Sequence, residues 1–160
     1  MTGAAAPQPS AENAGRRLAR LAAVQGLYRI ALSQDSSADV IHDFRDHPPP
    51  APAGENEAPR PGSFDQELFG EIVTGVTQHA AALDEMIAGA SDAKLSAGRI
   101  EVLLRAILRA GAYELHHHAK IPAGVVINDY VDVAHAFFGQ KEPGLVNAVL
   151  DRLAKKLHQG

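Results

Sequence analysis

The stretch that decides the fold is Ala106-Ile107-Leu108-Arg109-Ala110-Gly111-Ala112-Tyr113-Glu114-Leu115. It is followed by Ile121-Pro122, by Val125-Val126-Ile127-Asn128-Asp129, and by Leu145-Val146-Asn147-Ala148-Val149-Leu150-Asp151-Arg152-Leu153-Ala154. Residues 99–117 read as a helix that is apolar on most of its sides, and such a helix has to be central. Pro122 and Pro143 mark the starts of the next two helices, where a missing backbone donor costs nothing because the first amides of a helix are unpaired anyway. Gly139 stops the first of these after about residue 138, and Lys155, Lys156 and His158 suit the negative dipole end of the second. No segment shows the alternation of a strand.

Working outward toward the N-terminus, Leu68, Phe69, Ile72, Val73, Val76, Ala80, Leu83 and Ile87 form one apolar stripe reaching about residue 89. It starts behind a capping-box-like Ser63-Phe64-Asp65-Gln66. Residues 13–32 lack proline and set Leu18, Leu21, Gln25, Tyr28 and Leu32 at spacings of three and four, with Ser10 and Asn13 as candidate caps. Residues 37–45 read as a shorter helix capped by Ser36 or Ser37, and residues 91–96 as a single turn. Residues 46–62 hold six of the ten prolines and read as a Pro-rich surface loop, since proline supplies no backbone donor. Residues 1–12 read as a flexible tail without the basic start or apolar run of a signal peptide. The expectation is an all-α fold of about seven helices, one domain over residues 13–158.

Composition agrees. A chain of 160 residues with 46% apolar side chains can bury a core without staples. Five phenylalanines and three tyrosines leave that core to Ala, Leu, Val and Ile, which favours packed helices. The absence of cysteine removes disulfides, thiolate metal sites and thiol nucleophiles, and fits a reducing cytoplasm. No run approaches the roughly 20 apolar residues that span a bilayer. A net charge of −4 means that any contact with nucleic acid has to be local.

The sharpest local feature is Arg16, Arg17 and Arg20. At about 100° per residue these three share one arc of the first helix, opposite Leu18, Leu21, Gln25 and Leu32. The arc is either a solvated basic face or a phosphate contact that salt would weaken. Tyr28 falls near the boundary, where its ring either packs inward or stacks on an unpaired base. His116, His117 and His118 point about 100° apart and so cannot converge on one ion, which leaves adventitious metal binding or a response to the helix dipole. His79 and His135 lack companion carboxylates. Asn128 and Asn147 interrupt apolar runs and read as buried amides that tie neighbouring backbones, with base readout as the alternative. Asp129, Asp132 and Asp151 read as helix charges. Phosphate-binding loops, nucleophile elbows, metalloprotease pairs and dinucleotide fingerprints are all absent, so the reading is non-enzymatic, with no cofactor.

With these segments in place the chain resembles the bacterial transcription antitermination factor NusB family. The likeness rests on Arg16-Arg17-Leu18-Ala19-Arg20 with Ala23-Val24-Gln25-Gly26-Leu27-Tyr28, and on Arg105-Ala106-Ile107-Leu108-Arg109 with Ala112-Tyr113-Glu114-Leu115. It continues through Ile121-Pro122, Val126-Ile127-Asn128-Asp129, Ala134, Phe138-Gly139 and Val146-Asn147-Ala148-Val149-Leu150-Asp151, with Ile72-Val73-Thr74-Gly75-Val76 in the middle. The resemblance implies two small antiparallel bundles sharing a central helix. It implies binding of the single-stranded boxA element of ribosomal RNA leaders together with the ribosomal protein NusE, in a complex that joins elongating RNA polymerase and other Nus factors. The family's RNA-binding region maps onto Arg16, Arg17 and Arg20.

Two departures stand out. The Pro-rich insert has no expected counterpart in shorter members. In Gln140-Lys141-Glu142-Pro143-Gly144-Leu145, Gly144 and Leu145 replace the usual basic and aromatic pair, which shifts any RNA contact at that turn onto Lys141. Two other readings compete: the N-terminal module of a ribosomal RNA cytosine methyltransferase, which needs a cofactor domain and a reactive cysteine, and a purely protein-binding helical adaptor. A helical adaptor with an open partner face can also pair with itself as a homodimer.

Overall fold

The computed structural model describes residues 11–49, 64–91, 99–139 and 141–158. The predicted tail, most of the Pro-rich loop and the turn expected near residues 91–96 fall largely outside these residues. Six helices are described: α1 (Ala11–Leu32), α2 (Ser37–Asp46), α3 (Gln66–Ala90), α4 (Arg99–His117), α5 (Ala123–Phe137) and α6 (Lys141–Leu157). Six helices among the described residues agree with the expected all-α fold of about seven.

The helix expected to be central is the hub. Helix α4 packs against α1, α3, α5 and α6, so that α1–α3 form one bundle and α5–α6 complete a second around it. Leu104, Ile107, Leu108 and Leu115 are buried along it. Two glycines permit the approach. A Cβ at Gly111 would come 2.7 Å from a Leu150 methyl on α6, and one at Gly75 on α3 would come 2.3 Å from the Tyr113 ring. In the first bundle Phe69 stacks on Phe44 at 5.7 Å between centroids and meets Phe64 edge-on at 5.3 Å.

The helix starts follow local chemistry. Ser36 caps α2 by accepting from the Asp39 amide at 3.1 Å. Helix α3 begins later than the Ser63 signal suggested, because Asp65 is its cap: the carboxylate accepts from the Leu68 amide at 3.0 Å while the Asp65 amide donates to the Gly15 carbonyl of α1 at 3.1 Å. Pro122 occupies the cap position of α5, and Pro143 lies within the first turn of α6, where its missing N–H is harmless. Helix α3 leaves helical geometry at His79 (φ −115°, ψ 20°). Two residues earlier the Thr77 hydroxyl donates to the Val73 carbonyl at 2.7 Å, a back-bond that bends helices. Among the described residues no helix is long and apolar enough to cross a membrane.

A candidate nucleic-acid interface

The start of α1, the α4–α5 linker and the outer face of α5 enclose a groove of about 970 Å³. Arg16, Arg17 and Arg20 line it from α1, Lys120 from the linker, and Asn128, Asp129 and Asp132 from α5. Helical spacing brings the three arginines to one groove as expected, but it does not leave all three at the surface.

Arg20 corrects that expectation. Its side chain is 2% exposed. The guanidinium donates through Nε and Nη2 to the two carboxylate oxygens of Glu114 at 2.7 and 2.9 Å, and through Nη1 to Asp129 at 2.7 Å. The reason is packing: α1 lies against α4 and α5, so residue 20, one turn beyond residue 16, is already covered by both. Glu114 is fully buried and also accepts from the Tyr130 hydroxyl at 2.6 Å, with His118 Nδ1 3.2 Å away. Burial alone would raise the Glu114 pKa, but hydrogen bonds from His118, Arg20 and Tyr130 overrule it and hold the group down to about 2. Burial likewise works against the Arg20 cation, and the hydrogen bonds and charge of Glu114 outweigh it, so its pKa rises. Asp129 moves up, because burial outweighs its bond to Arg20, and the hydroxyl of fully buried Tyr130 moves up for the same reason. These buried groups are spent on one another. Arg20 therefore contributes to the groove wall with its charge already committed to Glu114 and Asp129.

The mouth is different. Arg17, Lys120 and Asn128 are exposed and Arg16 partly so. Arg16 donates to Glu12 at 2.6 Å, one turn away, with 40% and 71% of the two side chains exposed. An exposed pair of this kind exchanges readily for another anion. Tyr28 is half-buried farther along α1 and Lys141 is exposed at the start of α6; neither lines the groove. Asn128 and Asn147, expected as buried ties, are both exposed because they sit on the outer faces of α5 and α6. Among the described residues no group of three or more histidines or carboxylates is arranged to hold a metal ion.

Sequence reasoning passed over Lys120, whose only signal was a lone cation beside Ile121-Pro122. It also passed over the Glu114 network, for which the signal was plainer: an acid inside Ala112-Tyr113-Glu114-Leu115, within the helix expected to be central, has to find a cation.

Fold and groove together define a class, the small all-helical binding proteins in which buried charge is structural and surface charge is local. Comparison with known proteins narrows it. The sequence profile of the NusB family matches residues 17–155. The transcription antitermination protein NusB of Nitrobacter hamburgensis is 42% identical over 146 residues, covering 91% of this chain and 89% of the relative. That of Rhodopseudomonas palustris strain BisB18 is 40% identical over 152 residues, covering 94% and 88%. Among solved structures, T. maritima NusB superposes with a TM-score of 0.68 at 24% identity, over 88% of this chain and 91% of that one. A complex of the antitermination factors NusB and NusE with double-stranded RNA gives a TM-score of 0.67 at 22% identity, over 88% and 96%. The chain belongs to the NusB family.

Proposed function

We propose that this NusB-family chain is a transcription antitermination factor that grips unpaired boxA RNA of ribosomal leaders in the groove between α1 and α5. It acts in the cytoplasm, together with NusE and the other Nus factors on elongating RNA polymerase. One observation carries the reading: a protein of net charge −4 gathers Arg16, Arg17 and Lys120 at the mouth of a single groove, with an amide, Asn128, among them. The cations suit phosphates and the amide suits a base edge, which is the division of labour expected of positioning and reading contacts. Arg20 serves as a positioning residue that neutralises Asp129 in the groove wall. Tyr28 and Lys141 stand apart from it, as peripheral contacts at most.

The protein partner has its own surface. The second half of α1, the middle of α3 and the start of α4 enclose an apolar groove of about 440 Å³, lined by Leu27, Ile30, Ala31, Val76 and Ala80. Its rim arginines are occupied, Arg109 by Asp84 at 2.6 Å and Arg105 by Glu101. A surface of this composition suits a folded protein better than a nucleic acid. With RNA in one groove and NusE against the other, each ligand raises the affinity of the other.

The test is a fluorescence titration of labelled single-stranded boxA RNA with and without NusE. Weak binding alone and tighter binding with NusE is the expected result, with Arg17→Glu losing binding at unchanged helicity. RNA affinity indifferent both to NusE and to Arg17→Glu would overturn the reading.

A further inference from the structure

The groove does not end at Arg16 and Lys120. A second depression of about 330 Å³ lies on the far side of these residues, which together with Ile121 line both. Its other walls are the C-terminal end of α4, with His117 and His118, and the start of α3, with Asp65, Glu67 and Glu71. The α3 wall is a poor place for phosphate. Asp65 is committed to the Leu68 amide and Glu71 to His118 Nε2, and Glu67 adds an exposed negative charge.

What the α4 side offers is ring surface. Tyr113, only 6% exposed, fills the notch left by Gly75 and stacks on the exposed imidazole of His117 at 4.3 Å with an interplanar angle of 20°. His117 Nδ1 lies 3.2 Å from the Tyr113 carbonyl, which can only accept, so Nδ1 donates there and fixes the ring. Exposed His79, at the point where α3 departs from helical geometry, brings its ring within 5.3 Å of His117, and His116 meets His117 edge-on at 4.7 Å. The exposed imidazole of His117 is thus backed by a buried phenol, and the exposed rings of His79 and His116 flank it at the edge of the depression.

We propose that this cluster is a second nucleotide subsite, in which an unpaired base just beyond the segment held in the main groove stacks on His117 and His79. The intervening phosphate passes over Arg16 and Lys120. The inference rests on the RNA-binding reading above and deepens it. Stacking tolerates any base, because every base has a π face. The subsite therefore adds affinity for a longer strand without adding sequence preference.

The experiment compares boxA RNA with the same RNA extended by a few nucleotides at either end, carrying the fluorescent base analogue aminopurine at successive added positions. Binding should quench the fluorophore at one added position. His79→Ala with His117→Ala should abolish that quench and weaken the extended RNA about five- to tenfold while leaving the short RNA unchanged. His117→Phe, which keeps a ring, should retain quench and affinity. No quench that depends on these histidines, or unchanged affinity of the double variant for extended RNA, overturns the subsite. If Arg17→Glu still weakens both RNAs, the main groove stands without it. If Arg17→Glu has no effect on either RNA, the RNA-binding reading falls and the subsite falls with it.

Discussion

Arg20 of α1 and Glu114 of α4 are joined by two parallel hydrogen bonds, 2.7 and 2.9 Å long, with 2% and 0% of their side chains exposed. The pair links the first helix to the hub, and Asp129 and Tyr130 extend the link to α5. Removing one partner of such a pair strands a buried charge, at a cost of about 3–5 kcal/mol. Glu114→Ala should therefore lower the urea midpoint severely. The variant Arg20→Met, Glu114→Leu, combined with Asp129→Asn so that no carboxylate is stranded, should lose less than Glu114→Ala alone. Additive losses would show that these groups do not act as a unit.

The same network makes stability depend on pH from both sides. Glu114 has a folded pKa of about 2 against an ordinary 4.5. Its contribution is complete above the ordinary value and is lost as the pH falls toward the folded one, a span worth about 3 kcal/mol. Asp129, whose pKa is raised by burial, offsets part of that loss at the acid end. His118 runs the other way. Its bond to Glu114, opposed by burial and helped by Glu71, raises its pKa above 6.5, so its contribution is complete below 6.5 and lost as the pH rises through the folded value. Urea midpoints measured from about pH 3 to about pH 9 should fall at both ends. His118→Gln should flatten the alkaline limb and also shrink the acid one, because His118 is the first of the hydrogen bonds that hold Glu114 down.

Much of this architecture was legible in the residues, and the parts that were not have physical reasons. The hub helix announced itself because apolar residues on most of its sides have to be covered by neighbours, and its bounds came out as residues 99–117. Caps were less legible, because Ser63 and Asp65 are equally competent acceptors and only the Asp65 amide, reaching Gly15, selects between them. The basic arc was read correctly as an arc, and wrongly as a surface at Arg20 alone. Periodicity gives the angle of Arg20 about its own helix, but which neighbours cover that angle depends on how α4 and α5 cross α1. Asn128 failed in the opposite sense: an apolar run around it suggested burial, while α5 buries only the face carrying Val126, Ile127, Tyr130, Val133 and Ala134.

The two close-approach glycines should tolerate no methyl group. Gly75→Ala would press on the Tyr113 ring and Gly111→Ala on Leu150, and overpacking of this sort costs about 1–3 kcal/mol. Gly124, in the first turn of α5, has nothing within 4 Å of the corresponding position. Gly124→Ala should therefore be neutral or stabilising by a few tenths of a kcal/mol, since alanine is the better helix former. Thermal melts of the three variants check the contrast, and a Gly75→Ala protein as stable as the parent would contradict the packing of α3 against α4.

Salt separates the residues that line the basic groove from those that do not. If Arg16, Arg17 and Lys120 each neutralise one phosphate of a single strand, log affinity should fall against log salt concentration with a slope of about −2. Arg17→Ala or Lys120→Ala should each reduce the steepness by about 0.7, because each removes one released counterion. Lys141→Ala should leave the slope near its parent value, since Lys141 begins α6 outside the groove. The RNA should contain only the segment that occupies the main groove, so that the second depression adds no phosphate. A slope unchanged by Arg17→Ala but reduced by Lys141→Ala would move the RNA to the α6 end of the molecule, and the groove between α1 and α5 would lose its assignment.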